Sequence, residues 1–118
     1  MKILVVDDDE IDLKAAVRAL KAKWPDATYI TARSGSRAIE MIDDCEDIDF
    51  AVLDLKLGVV TGGQIAQILK RRGVPSILLT GSKGLEPKQF PVLTKKTGLP
   101  DLVDSVLSHL GLAPSPAL

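Results

Sequence analysis

The chain has 118 residues, of which 46% are hydrophobic and 26% charged, with a formal net charge of −1 at pH 7. That length suits one domain around one core, and the balanced charge predicts neither nucleic-acid binding nor attachment to an anionic membrane. The apolar runs are far short of a membrane span, the opening residues read as a strand and not as a signal peptide, and the single cysteine, Cys45, excludes an internal disulfide. On these grounds the chain is read as cytoplasmic.

Taken in order, residues 3–7 (Ile-Leu-Val-Val-Asp) are a short β-branched run of the kind buried on both faces of a parallel sheet. The run passes into four acids, Asp7, Asp8, Asp9 and Glu10. Ile11, Leu13, Ala16, Val17 and Leu20 then recur at helical spacing with charged residues between them, which predicts an amphipathic helix closed by Trp24 and Pro25. Residues 27–32 read as a strand. Ser34-Gly35-Ser36 opens a helix with Ala38, Ile39 and Ile42 on its apolar side. The acidic run 43–47 reads as a solvated exit turn in preference to a cation site, and Cys45 within it as a thiol near a helix end in preference to a redox group.

The stretch 49–55 organises the rest. An apolar run of four residues, Phe50 to Leu53, ends in the carboxylate of Asp54, and such a strand ends in a charge only where it reaches the rim of its sheet. In open α/β sheets that rim, at the carboxyl ends of the strands, is where ligands bind. Residues 57–63 hold three glycines but lack the strand–loop–helix context of a phosphate-cradling loop, so they are read as a loop. A helix follows over 64–72, with Ile65, Ile68 and Leu69 inward and Gly73 as its stop. Residues 75–81 form the next strand, ending in Thr80 and Gly81. The polar segment 82–90, with Pro87, has room for at most a turn or two of helix. Residues 91–95 make a fifth strand ending in Lys95, and Leu102, Val103, Val106, Leu107 and Leu110 set the last helix before Gly111. Trp24 and Tyr29 read as packing residues and His109 as a surface or boundary residue. Residues 1–112 are expected to form one domain and 113–118 a flexible tail. The alternation predicts an α/β fold: a doubly wound, flavodoxin-like parallel sheet in the order 2-1-3-4-5, with a fourth helix short or missing.

Four strands thus carry useful side chains at their carboxyl ends: Asp7 and Asp8, Asp54, Thr80, and Lys95. Crowded carboxylates repel one another unless a cation lies between them, and oxygen-only ligands with room for water suit Mg²⁺. A carboxylate held ionised by the metal can attack phosphorus and form an acyl phosphate. Charge on the phosphoryl oxygens calls for donors, here the Thr80 hydroxyl, the Gly81 N–H and the Lys95 ammonium.

With these residues in hand, the sequence resembles a bacterial two-component response-regulator receiver domain of the CheY-like kind, across residues 2–111. The matching pieces are Ile-Leu-Val-Val-Asp-Asp at 3–8, the apolar run into Asp54, Gly62, Val-Pro…Leu-Leu-Thr-Gly at 74–81, and Val-Leu-Thr-Lys at 92–95. The resemblance implies that Asp54 is the phosphoacceptor, charged by a histidine kinase or a histidine phosphotransfer protein. It implies that Asp8 and Asp54 bind Mg²⁺ directly, Asp7 through water, and the Lys56 carbonyl as a further ligand. Thr80 and Lys95 would take the phosphoryl group and couple it to conformational change. The chain would then catalyse only its own phosphorylation and dephosphorylation, and pass its signal to a downstream protein by surface contact, through the face that includes residues 82–90 and 99–110.

Departures from the family pattern are Gly58 and Lys96, where members often have proline, and Val92, where an aromatic is usual. Lys95 is preferred to Lys96 as the active lysine, because Leu102 then falls where the family's last helix places its first leucine. The short segment 82–90 is similar to that of a single-domain subset of receivers with a reduced fourth helix. Three rival readings remain at the sequence level. A haloacid-dehalogenase-type phosphatase would use Asp7 as nucleophile and Asp9 as general acid. A flavodoxin would bind FMN, but the loop after its first strand should be Ser/Thr/Gly-rich where this one is acidic. A receiver-like protein could also serve as an unphosphorylated docking module.

Overall fold

The computed structural model describes residues 1–80, 92–94 and 108. Five strands, β1 (Lys2–Val6), β2 (Thr28–Ala32), β3 (Phe50–Asp54), β4 (Ser76–Thr80) and β5 (Val92–Thr94), form one sheet in the order β2-β1-β3-β4-β5. Every pairing is parallel. Between the strands lie α1 (Glu10–Lys23), α2 (Gly35–Asp44) and α3 (Gly62–Arg71). This is the expected doubly wound α/β arrangement. The short fourth helix, the last helix and the tail expected at 82–90, 99–110 and 113–118 lie outside the described residues, Ser108 apart.

The two faces of the sheet make two cores. Alternate residues of the central strands point to opposite sides. Leu4, Val6, Ala51, Leu53 and Leu78 pack under Ala38 and Ile42 of α2 and Ile65, Ala66 and Leu69 of α3. Ile3, Val5, Phe50, Val52, Ile77 and Leu79 pack under Leu13, Ala16 and Leu20 of α1. β3 and β4 are buried at every position, which is why they read as continuous apolar runs and not as alternating ones. β2 is an edge strand and is only partly buried. Trp24 and Tyr29 pack as expected: the indole meets the Phe50 ring edge-on at 5.6 Å, and the Tyr29 hydroxyl donates to the Trp24 carbonyl at 2.7 Å.

Two expectations need correction. Ile11, expected on the apolar side of the first helix, is 79% exposed. Leu13, Ala16 and Leu20 set the buried stripe, and a residue two before Leu13 lies about 200° around the helix from it, facing water. Helix α3 starts at Gly62 and not at Gln64. Thr61 caps it: its hydroxyl accepts from the Gln64 N–H, and the Gln64 side chain accepts from the Thr61 N–H. That reciprocal cap carries two glycines into the first turn despite their poor helical propensity.

The acidic run 43–47 behaves as a surface turn. Asp47 accepts from the Lys2 ammonium at 2.7 Å, which holds its carboxyl below the usual range, and Asp43 meets Arg72. Cys45 caps the end of α2. Among the described residues no helix is long and apolar enough to cross a membrane.

Candidate functional site

The sheet register brings the acids together. Val6 of β1 stands beside Leu53 of β3, so Asp7 and Asp54, one residue further along each strand, end adjacent strands at the same level. Neighbouring strands lie about 4.8 Å apart, which sets the scale of the cluster. Carboxylate oxygens of Asp7, Asp8 and Asp54 all lie within 4.8 Å of one another. Asp7 is 2% and Asp54 6% exposed, while Asp8 faces solvent. The cluster is therefore a shallow site with a buried floor and one open carboxylate.

The carboxylates of Asp7, Asp9 and Asp54 are each held by backbone. Asp7 Oδ1 accepts from the Asp9 N–H at 2.9 Å, which turns the chain out of β1. Asp9 Oδ1 accepts from the N–H groups of Ile11 and Asp12 at 2.8 and 3.2 Å and so caps α1. Asp54 Oδ1 accepts from the Lys56 N–H at 3.3 Å. Beneath it, the Gly62 N–H donates to the Leu55 carbonyl at 3.1 Å. A Cβ on Gly62 would collide with the Asp54 carbonyl oxygen, so only glycine lets α3 begin this close to the end of β3.

Asp7, Asp8 and Asp54 are brought together as expected, with the Lys56 backbone beside Asp54. Thr80 ends β4 and is 2% exposed. By strand alternation it continues the row of Leu78, whereas Asp7 and Asp54 continue the rows of Val5 and Val52 on the opposite face. Gly81, Lys95 and Lys96 lie outside the described residues. Thr94, the residue before Lys95, pairs with Thr80 across β4 and β5. Two contacts escaped sequence reasoning. Asp9 is a helix cap, a role signalled by an acid just before an amphipathic run. Arg33, at the end of β2, reaches the Asp8 carbonyl at 3.5 Å, a long contact with no local sequence signal.

The donor set suits a hard divalent cation. Among the described residues, three carboxylates and neighbouring backbone supply oxygen alone, with no thiolate or imidazole, and Mg²⁺ takes a few such ligands while keeping waters. Carboxylate oxygens this close to one another can share one ion, directly or through its waters.

Comparison with known proteins places this geometry. The model of the response regulator receiver domain matches residues 3–106. No curated protein matches the chain. Among solved structures, the N-terminal domain of a response regulator/sensory box/GGDEF three-domain protein from Carboxydothermus hydrogenoformans superposes with a TM-score of 0.81 at 22% identity, over 94% of each chain. A CheY-like receiver domain protein from Methanospirillum hungatei gives 0.77 at 24% identity over 93% of each chain. Chemotaxis protein CheY4 of Vibrio cholerae gives 0.77 at 20% identity, over 92% of this chain and 97% of that one. At these identities the structures bear on the fold alone, and the family rests on the match over residues 3–106. The chain belongs to the response regulator receiver domain family, the CheY-like receivers of two-component signalling.

Proposed function

We propose that the chain is a phosphoryl-accepting switch whose Asp54 takes one phosphoryl group from a phosphohistidine of a histidine kinase or phosphotransfer protein. The observation that carries this reading is the trio Asp7, Asp8 and Asp54, with the central carboxylate buried at the end of the middle strand and the outer one open to solvent. Mg²⁺, held by Asp8, Asp54 and the Lys56 carbonyl with Asp7 acting through water, would neutralise the acids and orient the phosphoryl oxygens.

In the transfer, an Asp54 oxygen attacks phosphorus, the bond from phosphorus to the donor nitrogen breaks, and its electron pair stays on the imidazole. Asp54 has limited freedom while doing so, because its Oδ1 is tied to the Lys56 N–H. The Lys95 ammonium and the Gly81 N–H receive the phosphoryl oxygens. The Thr80 hydroxyl, at the end of β4, joins them. That engagement links the chemistry to residues 82–90 and to a downstream protein. Loss of the group follows when water attacks phosphorus and the Asp54 carboxylate leaves. The dehalogenase-type alternative asks Asp9 to act as general acid, but Asp9 is committed as the cap of α1.

The test is ³¹P NMR of the full chain with Mg²⁺ and acetyl phosphate. A protein-bound acyl-phosphate resonance, separate from that of acetyl phosphate itself, is expected, absent in Asp54→Asn and absent when the metal is chelated. A resonance unaffected by Asp54→Asn would reject the assignment.

A further inference from the structure

Outside the acidic site, the described surface carries a groove with chemistry of its own. It is a concavity of about 680 Å³ between α1 and the edge strand β2. Its walls are Glu10, Lys14, Arg18 and Lys21 of α1, and Thr31 and Arg33 at the end of β2. Leu13 and Val17 give it an apolar floor. Lys14 is neutralised by Glu10 at 3.2 Å. Among the described residues no carboxylate pairs with Arg18, Lys21 or Arg33; Lys21 rests over the Tyr29 ring and Arg33 leans on the Asp8 carbonyl. A chain with a net charge of −1 therefore gathers three uncompensated cations around one apolar patch.

We infer that this groove docks an acidic segment of a partner protein, an apolar side chain seated on Leu13 and Val17 with carboxylates on either side of it. Charge complementarity selects the occupant. Three cations at the rim of a small concavity favour flanking carboxylates, and the apolar floor favours a carbon side chain between them. A nucleic acid fits less well, since no aromatic ring among the described residues lines the groove for a base to stack on. The groove adjoins the acidic site without belonging to it. Arg33 lines one and touches the backbone of the other, so a docked segment would lie next to the loop carrying Asp8. The inference is independent of phosphorylation at Asp54.

The test uses the full ¹⁵N-labelled chain and a short end-blocked peptide in which leucines alternate with paired glutamates, with its glutamine counterpart as control. Saturable amide shifts are expected over residues 13–21 and 31–33, with affinity at least about tenfold weaker for the glutamine peptide. The exposed double variant Arg18→Glu/Lys21→Glu should lose binding by at least about tenfold. Lys70→Glu/Arg71→Glu, with the same change in charge on α3, should retain it. A dispersed amide spectrum in each variant establishes that it is folded. The inference is overturned by shifts that do not saturate or fall elsewhere, by equal binding of the glutamine peptide, or by equal loss in both double variants. It is also overturned by sedimentation showing a second copy of the chain in the groove, or by tighter binding of a single-stranded oligonucleotide at the same residues.

Discussion

Asp54 and Gly62 depend on each other. The carboxylate sits where β3 ends, and α3 can start beneath it only because residue 62 has no side chain. Gly62→Ala should therefore cost about 1–3 kcal/mol in urea unfolding, the usual range for forcing extra atoms into a packed site, and should slow modification of Asp54. Gly58 is a different case. Its φ is +84°, and among the described residues nothing stands within 4 Å of where a Cβ would be. Gly58→Ala should cost about 1–2 kcal/mol from the backbone alone. Proline is locked near φ −65° and cannot follow the path this loop takes. Asp54, Asp7 and Asp8 were legible in the sequence because a buried strand seldom ends in a charge without a reason. Asp9 was harder, since an acid in a run of acids looks like a ligand or a catalyst until its carboxylate is seen accepting two helix N–H groups.

At the scale of elements, the strands were legible nearly to the residue, because strands buried on both faces read as unbroken apolar runs. Helix starts were less so. Three glycines within 57–63 read as loop, but the start of α3 is decided by Thr61 and Gln64, whose side chains satisfy each other's backbone N–H. Thr61→Ala should lower stability by about 1 kcal/mol in chemical denaturation, with the loss confined to the cap. Ile11 was misplaced for a related reason: in the first turn of a helix the apolar spacing has no earlier residue to anchor its phase. In β4, the Ser76 hydroxyl is buried and has no hydrogen-bond partner among the described residues. Ser76→Ala should accordingly leave stability unchanged or raise it by up to about 1 kcal/mol, because the lost hydroxyl was already desolvated without compensation. A clear drop in the unfolding midpoint would show that Ser76 has a partner.

Across the whole molecule, the parallel order β2-β1-β3-β4-β5 gathers residues far apart in the chain to one edge. This was legible because alternating strands and helices leave few arrangements once crossovers must be right-handed. The groove between α1 and β2 was not legible, since its cations come from two elements whose spacing only the fold sets. On the proposed reading, the acidic edge would make stability depend on divalent cations. Without metal, Asp8→Asn should raise the melting temperature by relieving repulsion among the three carboxylates. Added Mg²⁺ should raise that of the natural chain more than that of the variant, by mass action on the folded state. Calorimetric scans with and without Mg²⁺ check both statements; an equal Mg²⁺ response in the two proteins would place the cation elsewhere. The most direct measurement is peptide-level mass spectrometry after incubation with Mg²⁺ and acetyl phosphate, asking which aspartate carries the phosphoryl group. A single group on the peptide containing Asp54, lost on chelation of the metal, is the predicted result. Phosphate on Asp7, or none on any aspartate, would contradict it.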